Sequence, residues 1–347
     1  MTNGQGSTLE DPTEIMTTLV EINHQTTGSG MTSSSSRAAG FYFQCAVVVI
    51  GFVGAAANGL ILYAMVVSKQ HKKQVLIFNQ NLLDFFSCFF LFTTHAVKLG
   101  NVYLSGTLGF WLCVAIFGEL LNWGAFLGSL MNLGAITVER YLKIVHHAWA
   151  KKKLRAWTIY SVIPLTWIAG YIIAVGVTIH TSRVVDGNCY TMVFWNSRAA
   201  QAAFGIWYFL SFYVVLLIIF AFGYGRILIK VRRQASLMAG HGGPAASSAA
   251  QTQSKQIQAK IVKTMILVSL LYIVVWTPGF IHFLFSFLHT RVMIGEAGYY
   301  VILVVGYLYI CANPFIYATN FDPVKSVLVR LIPWKRNTQP HESMEMG

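Results

Sequence analysis

Seven apolar stretches, each long enough to cross a bilayer, decide the fold before any single motif is read. They lie near 41–67, 75–99, 111–142, 156–180, 200–230, 258–288 and 294–318. A hydrocarbon core of about 30 Å takes roughly 20 apolar residues in a helix. In lipid every backbone N–H and C=O must be satisfied within the protein, which leaves helices for runs of this length. The pattern predicts an all-α membrane protein, a seven-transmembrane helix bundle with its two tails on opposite faces. Composition agrees, with 55% of 347 residues hydrophobic and 11% charged, against about 25% charged in a soluble domain.

The sign of the loops orients the bundle. Of the 25 Lys and Arg, 20 fall on one side, among them Lys69, Lys72, Lys73, Lys151–Lys153, Arg232 and Arg233. Such an excess marks the cytoplasmic face, so the N-terminus is expected outside. The net charge of +13 then calls for no nucleic acid; a basic inner face beside anionic membrane lipid accounts for it.

Residues 1–40 are polar, with Ser33–Ser36 in a row, and read as a disordered extracellular tail. No signal peptide is evident, so the first span is expected to act as an uncleaved anchor. No Asn-x-Ser/Thr acceptor occurs, which argues against N-glycosylation. The bundle is expected over 41–318, a short amphipathic eighth helix over 319–334 and a cytoplasmic tail over 335–347. In the eighth helix Phe321, Val324, Leu328 and Ile332 share a face, with Lys325, Arg330 and Lys335 elsewhere around it. That pattern suits a membrane interface. No cysteine follows Cys311, which excludes palmitoylation there.

Cys45, Cys88 and Cys311 sit inside apolar runs and read as small buried hydrophobes. Cys113 opens the third run on the outside and Cys189 lies in the second outer loop, where an oxidising medium favours a disulfide between them.

The polar residues inside the spans carry the functional signal. A charge at the centre of a spanning helix costs about 2.5–3.5 kcal/mol on insertion scales, so it survives paired or facing protein or water. Asn58 lies in the first span; Asn81 and Asp84 share a face of the second. The third ends in Glu139-Arg140-Tyr141, which on the plainest reading are interfacial anchors. Pro164 and Trp167 lie in the fourth span and Tyr224 in the fifth. The sixth holds Val275-Trp276-Thr277-Pro278 and the seventh Asn313-Pro314-Phe315-Ile316-Tyr317. Pro278 removes a backbone bond and predicts a kink.

Together, from residue 41 to about 335, these motifs resemble the rhodopsin-like (class A) G-protein-coupled receptors. The resemblance implies a plasma-membrane receptor and not an enzyme, coupling an extracellular ligand to nucleotide exchange on a heterotrimeric G protein, with arrestin as a further cytoplasmic partner. It makes Glu139, Arg140, Tyr141, Tyr224, Trp276, Pro278, Asn313, Pro314 and Tyr317 the activation switch. The sixth helix would swing about Pro278, Arg140 would leave Glu139, and Tyr224 and Tyr317 would move in. It also places Asn58, Asp84, Ser129 and Asn313 where the family builds an allosteric sodium site, with Tyr309 where many members have a further polar ligand. Three departures stand out: Val275 replaces a cysteine, the fifth span lacks a proline, and Gln258 stands where some members pair an acid with the arginine. The last suggests a lower barrier to activity.

Cys113 and Arg140 are 27 residues apart, two more than the family's spacing. Two residues turn a helix by about 200°. Counting back from Arg140 puts Asn122 in the central pocket, counting forward from Cys113 puts Leu120 there, and Glu119 is off that register. The candidate ligand pocket is His95, Lys98, Glu119, Asn122, Trp276, His282, Tyr299 and Tyr307, a mixed set that fits a peptide, a small polar molecule or a lipid alike. Opsins hold retinal on a lysine where this chain has Tyr307, so no covalent retinal is expected. An opsin-related photoreceptor with a non-covalent or lost chromophore, and an ion channel or transporter, are the rival classes. No inverted repeat supports the latter.

Overall fold

The computed structural model describes residues 30–100, 102–192, 195–240, 249–288, 296–320 and 322–331. Among the described residues seven helices are long and apolar enough to cross a membrane: Ala38–Val67, Val75–Lys98, Gly106–Val145, Ala156–Thr181, Arg198–Arg233, Ala259–Phe287 and Ala297–Ala318. We call the full helices α1 (Gly30–Val67), α2 (Val75–Lys98), α3 (Leu120–Val145), α4 (Ala156–Thr181), α5 (Val215–Gly240, continuing Arg198–Phe209), α6 (Ala249–Phe287), α7 (Glu296–Asn320) and α8 (Asp322–Leu331). The helix α1 begins inside the stretch expected as tail. Extending a formed helix fixes one residue per bond, so a long apolar span carries its polar lead-in with it. Residues 1–29 and 332–347, which hold most of both expected tails, lie outside the described residues, as do Phe321 and Ile332.

The helix α3 is the axis of the bundle, packed on α2, α4 and α5. Phe126, Leu130 and Leu133 are buried on it at i, i+4 and i+7, one stripe of a 3.6-residue helix. The same stripe continues through Thr137 to Arg140, so the arginine is drawn inward by the pattern that buries the leucines. Where α4 crosses α3, a side chain on Gly170 would come 2.5 Å from the Gly124 carbonyl and 2.7 Å from the Gly128 nitrogen. Small residues let the two backbones touch, as membrane helices require when lipid and side chains are equally apolar.

The extra length of the third span is taken up at its outer end. The helix Gly106–Leu112 passes into a π turn, Cys113–Phe117, and Glu119 then adopts left-handed backbone at φ 56. A π turn winds more residues into each turn than an α-helix, and the left-handed residue resets the phase. Neither uniform count is therefore correct throughout. Asn122 follows the inner register, Leu120 is turned away against Val114 and Ala174, and Glu119 faces the pocket. A second π turn, Leu210–Val214, interrupts the fifth span without a proline.

Between α4 and the fifth span, β1 (Arg183–Val185) pairs antiparallel with β2 (Asn188–Tyr190). Asp186 and Gly187 both have positive φ, the primed turn that suits a two-residue hairpin. Cys189 on β2 is bonded to Cys113, with Cα atoms 5.3 Å apart, so the expected disulfide pins the hairpin to the outer end of the third span. At the other end α8 buries Val324 and packs Val327 and Leu328 on the core. Its Asp322 meets Lys260 of α6 at 2.5 Å.

Candidate functional site

At the outer end, the reset at Glu119 brings four polar side chains around one carboxylate. Lys98 Nζ lies 2.6 Å from Glu119 Oε1, and His95 Nε2 lies 3.3 Å from the same oxygen. The Tyr307 hydroxyl and the Asn122 amide donate to Oε2 at 3.3 and 3.4 Å. Asn122 in turn accepts from Ser87 at 2.8 Å, and His95 Nδ1 bonds to Gln44 Oε1. Left-handed backbone costs a non-glycine residue about 1–3 kcal/mol, which these partners offset. His95, Lys98, Glu119, Asn122 and Tyr307 of the candidate pocket set are thus brought together. His282 and Tyr299 stack on one another with ring centres 5.1 Å apart, and no hydrogen bond joins them to Glu119 among the described residues.

Below this cluster Trp276 lies 4.5 Å ring to ring from Phe126. On its far side a Cβ on Gly306 would stand 3.1 Å from the indole, so glycine there leaves the ring its seat. Next to Pro278, the Thr277 hydroxyl bonds to the Ile273 carbonyl and lies 2.7 Å from the Tyr213 hydroxyl. The Thr277 hydroxyl thereby ties α6 to the fifth span.

The middle layer centres on Asp84. Ser129 donates to it at 2.6 Å and Asn313 at 2.8 Å. Gln80, which the sequence reading passed over, sets its amide 3.3 and 3.5 Å from the two carboxylate oxygens and also bonds Ser129. Gln80 accepts from Asn132, Asn132 accepts from Asn79, and Asn79 accepts from Trp167, at 2.8, 3.0 and 3.0 Å. A chain of buried amides therefore runs from α4 to α7. Of the four residues expected to hold sodium, Asp84, Ser129 and Asn313 meet. The Asn58 amide turns instead to the Gly54 carbonyl and the Cys88 sulfur, because those groups lie along its own helix and the facing one. Among the described residues Asn58 Oδ1 and Asn313 Oδ1 are buried without a hydrogen-bond partner. Buried oxygens and a carboxylate are ligands for a hard cation, so the residues fit sodium, with Gln80 competing for Asp84.

At the inner end Arg140 lies 3.3 Å from Glu139, which also takes Lys143 at 2.6 Å. Arg140 further donates to Gln74, another residue the sequence reading did not single out. Tyr224 already points inward, 3.0 Å from Thr137 on α3 and 3.4 Å from Ser269 on α6. The Tyr141 hydroxyl lies 2.9 Å from His146, and the buried Tyr317 hydroxyl has no hydrogen-bond partner among the described residues. The side chain of Gln258 lies outside the described residues. Arg140, Lys143, His147, Lys151 and Val262 line a cavity of about 350 Å³ at this end of the bundle.

A family described as 7 transmembrane receptor (rhodopsin family) matches residues 57–317. A gonadotropin-releasing hormone II receptor from Clarias gariepinus is 22% identical over 160 residues, which is 45% of this chain and 42% of that receptor. The chain therefore spans less than half of this curated relative. The family match takes in the Asp84 layer, the Glu139–Arg140 pair, Trp276 and the Asn313-to-Tyr317 motif, and the chain belongs to the rhodopsin family of seven-transmembrane receptors.

Proposed function

We propose that this multi-pass plasma-membrane receptor, N-terminus outside, couples a ligand in its outer half to nucleotide exchange on a heterotrimeric G protein. The observation that carries the reading is Arg140, buried yet only lightly tied, beside a basic cavity between α3 and α6. Glu139 divides its charge between Arg140 and Lys143, so Arg140 leaves it at lower cost than from an exclusive pair. An outward swing of the α6 inner end about Pro278 breaks the exposed Lys260–Asp322 pair, worth about 0–1 kcal/mol, and widens that cavity. A partner helix then lies in the groove, and ligand and G protein strengthen each other's binding by the same factor. Arrestin and anionic lipid are further partners for this basic face. Sodium, when bound, supplies a positive charge beside Asp84, held by Asp84, Ser129 and Asn313, and favours the closed packing.

The test is nucleotide exchange on a panel of purified Gα–βγ proteins with receptor reconstituted in vesicles. Exchange should rise with receptor density and vanish in Arg140→Ala. Gln74→Glu, which adds a carboxylate to Arg140, should lower it. A folded receptor that accelerates no member of the panel, with or without ligand libraries, would sink the reading.

A further inference from the structure

The cavity at the inner end holds more uncompensated positive charge than the switch itself requires. Arg140, Lys143, His147 and Lys151 follow one another at steps of three and four residues, the spacing that brings side chains to one face. They run from the foot of α3 into the short helix His147–Lys153. All four line the cavity of about 350 Å³, and Ile144, Leu154 and Val262 supply apolar wall. Among the described residues Glu139 is the one acid paired with any of them, and it is shared between Arg140 and Lys143. His147 and Lys151 form no ion pair among the described residues. Arg140 is only 7% exposed, yet its Nε–H is buried without a hydrogen-bond partner among the described residues. An unmade bond at a buried charged donor is costly, and this one belongs to a side chain on the wall of an open space.

Size, charge and lining specify the occupant. A helix with its side chains is about 10–12 Å across and rises about 5.4 Å per turn, so one turn fills upward of about 400 Å³. In this packing the cavity is therefore too small for a partner helix, while it falls in the range of small-molecule sites. Glu139 offsets one of the charges on Arg140, Lys143 and Lys151, so the occupant carries at least two negative charges. The guanidinium fork of Arg140 matches the paired oxygens of a phosphate, and lysines meet phosphate as point charges. Ile144, Leu154 and Val262 offer nothing to a bare inorganic ion and suit a carbon skeleton that carries the phosphates.

We infer that this cavity binds a multiply phosphorylated organic anion, which holds Arg140 in the closed packing and competes with the G protein. The competition rests on the receptor reading; the binding is tested without a G protein. Full-length receptor in phosphatidylcholine nanodiscs is titrated with radiolabelled inositol 1,4,5-trisphosphate at fixed ionic strength. Saturable binding, one per receptor, is expected, lost in Arg140→Gln and weakened about tenfold, some 1.4 kcal/mol, by Lys151→Gln. Lys151 is exposed, so its variant carries the test if Arg140→Gln fails to fold. Lys152→Gln, equally exposed but off the cavity wall, should leave binding unchanged. Equal weakening by the two lysine variants would reduce the effect to general surface charge and overturn the site. Equal occupancy by inorganic phosphate at the same concentration would overturn the organic class. Phosphatidylinositol 4,5-bisphosphate added to the nanodisc separates the sources: displacement of the soluble probe assigns a lipid headgroup, and no displacement assigns a soluble phosphate. On a Gα protein that responds, exchange should fall as the trisphosphate saturates, and unchanged exchange would overturn the competition. Binding with no Gα response sinks the coupling reading and leaves the site, whereas exchange without saturable binding sinks the site and leaves the receptor.

Discussion

Trp276 is held between Phe126, 4.5 Å away ring to ring, and the bare Cα of Gly306. A ring gripped from both sides, two residues before Pro278, has few positions. Adding one methyl at Gly306 puts it 3.1 Å from the indole, and the indole must move toward Phe126. Gly306→Ala is therefore expected to raise ligand-free exchange about three- to fivefold, a shift near 1 kcal/mol. Adding Phe126→Ala, which opens room on the other side, should return it toward wild type. Additive effects in that double-mutant cycle would show that the two do not act through the tryptophan.

The Lys98–Glu119 pair makes a stability prediction. Removing Lys98 leaves the largely buried Glu119 carboxylate with only His95, Asn122 and Tyr307 beside it, at a cost of up to about 3 kcal/mol. Lys98→Met alone should sharply lower surface expression and thermal stability in detergent. Lys98→Met with Glu119→Gln should recover most of both, because two neutral groups replace two charges. If the double variant is as unstable as the single, the pair is not what the site depends on.

Around Asp84 the prediction separates a cation from an amide. Raising sodium against choline at matched ionic strength should lower basal exchange, and Asp84→Asn should remove that dependence. Gln80→Leu takes away the competing donor, so the sodium concentration for half effect should fall by about tenfold. A wild type indifferent to sodium together with an indifferent Gln80→Leu would leave Asp84 as a structural hydrogen bonder.

The disulfide gives the simplest test. Cys113→Ser and Cys189→Ser should reduce surface expression alike, by an amount consistent with about 2–5 kcal/mol. The double variant should be no worse than either. Losses that add would mean the two sulfurs serve separate roles.

Much of this arrangement is legible in the residues themselves. Seven apolar runs fix seven helices because lipid leaves the backbone no other outlet. Asp84, Arg140 and Asn313 announce themselves because a polar group in an apolar run is costly and must have a partner. Gln80 was missed, although it stands one turn before Asp84, the spacing at which two side chains on a helix meet. Gln74 was missed for a different reason: it lies just outside α2, where a polar residue costs nothing and so carries no signal. Glu119 fell off the counted register because counting assumes one pitch throughout. The two surplus residues between Cys113 and Arg140 showed that the pitch changed, and nothing in their identity showed where.

That change of pitch has a consequence for how the receptor can vary. The π turn at Cys113–Phe117 and the left-handed Glu119 act as a joint between the disulfide anchor and the rod that ends in Arg140. Residues added or lost above the joint rotate the outer walls and reshape what they enclose. The rod below keeps its phase, so Asp84, Trp276 and Arg140 still meet the same neighbours. Specificity at one end and signalling at the other can thus drift independently, because a slip in one is not transmitted as a twist to the other.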